Sequence, residues 1–290
     1  MKLSHKITYQ FLKAFSFCLR ISPQCTRSIL SNIFYIILYF LIPIRKKQVF
    51  DNLKLAFPNK LLPWYLTTAK DSYKFFISNF IQFLAFPKSF LKSTINVKGQ
   101  NLLNNTLKDR KGIIFVSGHF GAWEILAAWL GYNQYPISAV ATKQGNRGAD
   151  KFFLELRSQF GMKHIYRKVS IDNMYEILEQ KEILGLVSDQ DAKTRGVFVK
   201  FFNQQTSTPK GAARFHLKSG APIIFTVCYQ NKPNDYTIVF HPITIAPNTT
   251  VELITQSYTS ILEKYIRQYP EQYFWFHRRW KTKPVTKQNV

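Results

Sequence analysis

Residues 110–131 read RKGIIFVSGHFGAWEILAAWLG, and the change of period inside them sets the fold. Ile113, Ile114, Phe115 and Val116 form a short β-branched and aromatic run that reads as a buried strand. Ser117 and Gly118 stop it, and Gly121 permits a tight turn. From Ala122 onward Ile125, Leu126, Trp129 and Leu130 recur at three and four, a helical period that Gly131 is expected to end. His119 therefore lies in the strand-to-helix turn and Glu124 in the first turn of the helix. On one continuous helix a five-residue spacing would hold the two side chains about 140° apart. A turn between them lets the imidazole fold back to the carboxylate, so that a general base and its orienting acid come from one short segment. The plainer reading is a turn histidine beside a glutamate that favours the helix N-terminus.

Downstream the alternation continues. Strands are expected at 137–141, 164–166, 183–187, 222–229 and 236–241, and helices at 150–160, 171–180, 209–218 and 250–268. This predicts an α/β fold with a largely parallel central sheet flanked by helices, its sites at the strand ends. Upstream, residues 64–86 read as a helix with an aromatic stripe that packs on the α/β body. Residues 1–27 mix Lys and Arg with Tyr and Phe, and 28–44 (SILSNIFYIILYFLIPI) is the most apolar stretch. It sits at the lower length limit for a spanning helix. Arg45, Lys46 and Lys47 follow it where a signal peptide would have a small-residue cleavage site. The expected division is 1–48, an N-terminal membrane-associated helical segment with basic flanks on anionic headgroups, and 49–290, the α/β domain.

Forty Lys plus Arg against 16 Asp plus Glu give a net charge of +24, which calls for an acidic partner. With 46% hydrophobic residues, 26 Phe and 15 Tyr, an anionic membrane surface suits the chain better than nucleic acid. Cys18, Cys25 and Cys228 have no metal-binding spacing, and GHFGAW lacks the glycine spacing of a dinucleotide site, so no metal or cofactor is expected.

Four further groups carry possible chemistry. Arg157, late in a predicted helix, is either a surface cation at a helix end or a guanidinium fork for a phosphate or a developing oxyanion. Asp189 and Asp191 follow a predicted strand; an apolar run ending in Asp-x-Asp is also how metal-dependent glycosyltransferases hold a cation, and the bland alternative is ion pairing with Lys193, Arg195 or Lys200. The loop expected after them combines Phe198, Phe201 and Phe202 with Lys200, Lys210 and Arg214, a mixture suited to an amphipathic lipid with phosphate headgroups. The tail sets Tyr273, Phe274, Trp275, Phe276 and Trp280 among His277, Arg278, Arg279 and Lys281, a pattern for gripping phosphates at a membrane interface or for stacking bases.

Taken in order, LIPIRKKQVFDNLKLAFP, SGHFGAWE, LRSQFG, GLVSDQDAKTRGVFVKFF, TPKGAARFHLKSGAPI and PEQYFWFHRRWK resemble the late acyltransferases of lipid A biosynthesis, the lauroyl and myristoyl transferase family. The resemblance implies transfer of a fatty acyl chain from an acyl carrier protein thioester, or from acyl-CoA, to a hydroxyl of a phosphorylated glycolipid at the cytoplasmic face of the inner membrane. It implies that His119 and Glu124 are the catalytic pair and Arg157 a site arginine. Asp189, Asp191, Lys200, Lys210, Arg214, Arg278 and Arg279 are then substrate-binding candidates. The alternatives are an acyltransferase acting on another glycolipid or a lysophospholipid, a glycosyltransferase with a metal on the Asp-x-Asp loop, and a basic membrane- or nucleic-acid-binding module without activity.

Overall fold

The computed structural model describes residues 1–109, 111–166 and 171–284; Arg110, which opens the stretch quoted above, lies outside the described residues. The chain begins with helices α1 (Leu3–Ile21), α2 (Gln24–Ile36, continued by a π turn Ile37–Leu41), α3 (Lys46–Ala56), α4 (Leu62–Leu84) and α5 (Lys88–Leu91). Then come β1 (Thr94–Lys98), α6 (Gln100–Lys108), β2 (Ile113–Ser117), α7 (Trp123–Tyr132), β3 (Ile137–Ala141), α8 (Arg147–Ser158), β4 (Lys163–Tyr166), α9 (Ile171–Glu179) and β5 (Ile183–Val187). The last part comprises β6 (Val197–Phe201), β7 (Gln204–Thr208), α10 (Gly211–Ser219), β8 (Ile223–Lys232), β9 (Asp235–Pro242) and α11 (Val251–Gln268).

Seven strands form one sheet in the order β1-β9-β8-β2-β5-β3-β4, in which every neighbouring pair is parallel except β8 with β9. The expected α/β class with a mostly parallel sheet is therefore observed. β2 lies centrally, so its continuous apolar run is buried on both faces, as a strand covered twice requires. Its alternation divides the core: Ile113 and Phe115 pack with Ile125 and Leu126 of α7 on one face, and Ile114 and Val116 with Phe215 and Leu262 of α10 and α11 on the other.

Several sequence expectations need correction. Gly131 does not end α7 but sits within it, where a Cβ would lie 2.2 Å from the Phe160 carbonyl oxygen; the glycine is a packing requirement. The stretch after Asp191, expected as a loop, is an antiparallel hairpin of β6 and β7, with Val197, Val199 and Phe201 buried on one side. Its two turn residues, Phe202 and Asn203, both have left-handed φ, 51° and 58°. The tail is not an interfacial belt: Tyr273, Trp275 and Trp280 are buried core residues, braced by backbone bonds to the turn that carries His119. There the Phe274 N–H donates to the His119 carbonyl at 2.9 Å and the Gly121 N–H to the Gln272 carbonyl at 2.7 Å.

The N-terminal helices are amphipathic. Leu19, Tyr35 and Tyr39 are buried against the body, while Phe11, Phe17, Ile29, Ile33 and Ile36 face outward. No single helix among the described residues is long and apolar enough to cross a membrane; α2 with its π turn and α3 would qualify together but meet at 87°.

Candidate active site

Strand register assembles the site. Ser117 of β2 pairs with Val187 of β5, and the Ser188 N–H donates to the Ser117 carbonyl at 2.9 Å. The two strands end level at the carboxyl edge of the sheet. Two residues beyond each end, His119 and Asp189 meet: Nδ1 to Oδ1 is 2.7 Å. Gly121 turns the chain back at once, with φ of 63° and no room for a Cβ, which would stand 1.9 Å from the Cys228 carbonyl oxygen.

This corrects the expected pairing. Glu124 does not orient His119. Its carboxylate is gripped bidentately by Arg157, Nε to Oε2 at 2.9 Å and Nη2 to Oε1 at 2.5 Å, and it accepts from Trp123 Nε1 at 3.2 Å. Asp189 holds the imidazole instead, from a position 70 residues away in sequence.

The tautomer follows from the donors. An ionised carboxylate only accepts, so Nδ1 carries the proton and Nε2 is bare. The Gln190 amide then donates to Nε2 across 3.3 Å, a contact that an incoming hydroxyl can replace. The His119 side chain is 28% exposed and Asp189 only 3%, so the base reaches the cavity while its partner is sealed behind it. Burial pulls the His119 pKa down, but the charge of Asp189, the hydrogen bond to it and the more remote Glu124 outweigh burial and leave it above the ordinary value. Burial works the other way on Asp189, where the imidazole and then Arg279 prevail and hold the carboxyl below its usual range.

His119 opens into a cavity of about 830 Å³ whose wall is mostly aromatic and aliphatic, including Phe76, Phe80, Phe83, Trp123 and Phe274. Among the described residues, its charged groups are Arg45, Glu124 and Arg157, with His119 itself. The Arg157 guanidinium also lies 5.4 Å from the Phe83 ring centre. Phe15, Phe34, Leu38 and Ile44 complete the wall, so the N-terminal helices help to build the site.

The other expected binding residues are not brought to this cavity. Asp191 accepts from the Thr282 hydroxyl at 2.9 Å. Lys200 and Arg214 are exposed on β6 and α10, Lys210 is the residue before α10, and none of them lines the cavity. Arg278 is exposed and likewise outside the lining. Arg279 is 2% exposed and committed to the hairpin, donating to the Ser207 carbonyl and to Thr208 Oγ1, each at 2.6 Å. Its contribution is the positive charge it places near Asp189.

Glu124 and Arg157 are expected to behave as one unit. In a double-mutant cycle of Glu124→Gln and Arg157→Gln, urea unfolding should give a coupling of about 1–3 kcal/mol, the range for a well-formed charge-assisted pair. Additive effects would show that the two side chains do not hold each other.

The family model for bacterial lipid A biosynthesis acyltransferases matches residues 2–282. The chain is 29% identical over 195 residues to the lipid A biosynthesis lauroyltransferase of Escherichia coli (strain K12), covering 65% of this chain and 62% of that one. It is 25% identical to the palmitoleoyltransferase of the same organism, covering 69% and 65%. Against the phosphatidylinositol mannoside acyltransferase of Mycolicibacterium smegmatis it is 22% identical, over 59% of this chain and 57% of that one. The chain thus spans less than two thirds of the length of these curated relatives.

Proposed function

The chain belongs to the bacterial lipid A biosynthesis acyltransferase family, and from that premise we propose that it transfers a fatty acyl chain from an acyl carrier protein thioester to a hydroxyl of a lipid A precursor. One observation carries this reading: a histidine oriented by a buried carboxylate presents a bare Nε2 to a large apolar cavity. The cavity suits a hydrocarbon chain, and the histidine suits removal of a hydroxyl proton beside it.

In the proposed reaction the acceptor hydroxyl displaces Gln190 and gives its proton to Nε2, and its oxygen attacks the thioester carbonyl. Asp189 stabilises the imidazolium that forms. The tetrahedral oxyanion is met by the N–H groups of Trp123 and Glu124, which as the first two of α7 have no intrahelical acceptor. The carbon–sulfur bond then breaks, and the leaving thiolate takes the proton from Nε2. Glu124 and Arg157 give the cavity wall a fixed, internally neutral polar point. No acyl-enzyme is needed: Cys228 is fully buried with its thiol pushed far up by burial, and neither Cys18 nor Cys25 lines the cavity.

The outward apolar face of α1 and α2, flanked on α1 by the exposed Lys6 and Lys13, supports docking on an anionic membrane, for which we propose the cytoplasmic face of the inner membrane. The mannoside acyltransferase relatives support a second acceptor, a mannosylated phospholipid.

The test is purified protein with acyl carrier protein thioester and either acceptor in neutral detergent, the products weighed by mass spectrometry. A mass gain of one acyl group on the lipid A precursor is expected, and transfer to neither acceptor would remove the reading. The same assay in excess EDTA is expected to run at an unchanged rate. Asp189 spends an oxygen on His119 and Asp191 one on Thr282, and Lys193 and Arg195 flank them. Two carboxylates that each already spend one oxygen fall well short of the roughly six ligands a divalent ion takes, and the flanking cations oppose it. Transfer abolished by chelator and restored by Mg²⁺ or Mn²⁺ would move the metal-dependent glycosyltransferase alternative to the front.

A further inference from the structure

Among the described residues, the charges lining the cavity do not balance. Glu124 and Arg157 neutralise each other, and His119 is paired with Asp189. Arg45 is left, and among the described residues no carboxylate lies within ion-pair distance of it. Its neighbours in the basic run are already engaged elsewhere. Lys46 Nζ sits 4.0 Å from the Tyr39 ring centre and donates to the Tyr39 carbonyl at 3.4 Å, and Lys47 pairs with Asp51 at 3.0 Å. Of the three cations that follow the apolar segment, only Arg45 lines the cavity that holds His119.

Its position is fixed by the tertiary structure. Arg45 has left-handed backbone, φ 54°, which a side-chain-bearing residue adopts only where its surroundings impose it. The Tyr73 hydroxyl grips the preceding carbonyl, that of Ile44. Nη1 of Arg45 donates to the carbonyl of Phe276, itself a cavity residue, at 3.0 Å. Among the described residues the remaining guanidinium donors have no hydrogen-bond partner, on an exposed residue at the rim of an apolar cavity. A planar fork so held recognises phosphate oxygens at little further entropic cost.

We propose that Arg45 binds a substrate phosphate at the rim of this cavity. The phosphate belongs either to the headgroup of the amphiphilic acceptor or to the pantetheine arm of the thioester donor, and the naming of those two sources rests on the acyl-transfer reading above. Kinetic assays separate them. In one arm the acceptor carries or lacks its phosphates; in the other the donor is an acyl-phosphopantetheine or the acyl-pantetheine without phosphate. The wild-type chain should prefer the phosphorylated form about 10- to 100-fold in kcat/KM in one arm, the range for a lost charge-assisted contact, and chiefly through KM. Arg45→Gln should erase that preference, Arg45→Lys should keep part of it, and Lys47→Gln, which removes a charge two residues away, should keep all of it. A preference undiminished in Arg45→Gln in both arms overturns the proposal.

Binding provides a readout independent of turnover. On a His119→Ala background, Arg45→Gln should weaken binding of dodecyl phosphate in neutral micelles at least tenfold and leave dodecanol unchanged. Equal binding of dodecyl phosphate with and without Arg45 overturns the proposal even where transfer occurs. Phosphate-selective binding without any transfer would instead leave Arg45 assigned and remove the acyl-transfer reading.

Discussion

Alanine at position 119 is expected to lower acyl transfer by about two to four orders of magnitude, the span a positioned general base supplies. The fold should survive, because the turn is held by backbone bonds rather than by the imidazole: Phe274 N–H to the His119 carbonyl, Gly121 N–H to Gln272 and Ala122 N–H to Cys228. Asp189→Asn is expected to fall nearly as far, although it preserves shape. The amide can present its N–H to Nδ1, which places the imidazole proton on Nε2 and leaves no base facing the substrate. The two variants differ from Glu124→Gln, which leaves the hydrogen bond to His119 intact.

The pH profile separates orientation from charge. The working base is neutral, so transfer rises with pH as the imidazolium proton leaves. Burial alone would place that limb below the ordinary histidine value, but Asp189 and then Glu124 raise it above. In Asp189→Asn the principal raising influence is gone, so residual transfer should show its limb at lower pH than wild type. The stability that His119 contributes follows the opposite course. A folded-state pKa above the unfolded one means that the His119 contribution is fully present below the unfolded histidine pKa and is lost as pH rises through the folded value, while the Asp189 contribution is lost as pH falls through its depressed folded value. Turnover in His119→Ala like that of wild type, or an unmoved limb in Asp189→Asn, would remove the dyad from the mechanism.

The strand, turn and helix of residues 113–132 were legible because the signals are local: a four-residue apolar run, two small residues, then a helical period. The partner of His119 was not. Nearness in sequence favours Glu124, whereas the contact is made by parallel pairing of β2 with β5, which sequence period does not encode. The one usable hint was that Asp189 follows an apolar strand at the same offset, two residues, at which His119 follows its own. Gln190 carried no signal. The hairpin at 197–208 was detectable from the alternation of Val197, Val199 and Phe201, but the lysine and phenylalanine content read as a lipid-facing loop. The tail misled for a related reason. Aromatics beside arginines describe an interface and a core equally well, and only tertiary bonds distinguish them, such as the one from Trp275 Nε1 to the Pro270 carbonyl at 2.6 Å.

Deleting residues 1–44 is expected to abolish both cooperative folding and transfer, even with the acceptor dispersed in detergent. From sequence, the segment is an anchor beside an independent catalytic turn, and its loss should only release the protein from membranes. The packing argues otherwise. Ser16 Oγ donates to the Leu84 carbonyl at 2.6 Å, and a Cβ on Gly148 would lie 1.8 Å from the His5 carbonyl oxygen, so α1 is seated directly on α4 and α8. Leu19, Tyr35 and Tyr39 are 3%, 9% and 2% exposed. At about 1.5–3 kcal/mol for each large side chain buried, they contribute roughly 5–9 kcal/mol together, against a whole-domain stability of about 5–15 kcal/mol. The deletion also removes Phe15, Phe34, Leu38 and Ile44 from the cavity wall. Circular dichroism on heating and the detergent assay check this directly. The outward face supplies the contrast. Phe17 and Ile29 are each 60% exposed, so Phe17→Glu with Ile29→Glu should leave the melting transition within a few degrees of wild type while weakening binding to anionic vesicles. A truncated chain that melts cooperatively and still transfers would show that the segment is an anchor alone, and the cavity would then have to be closed by α4 and α8 without it.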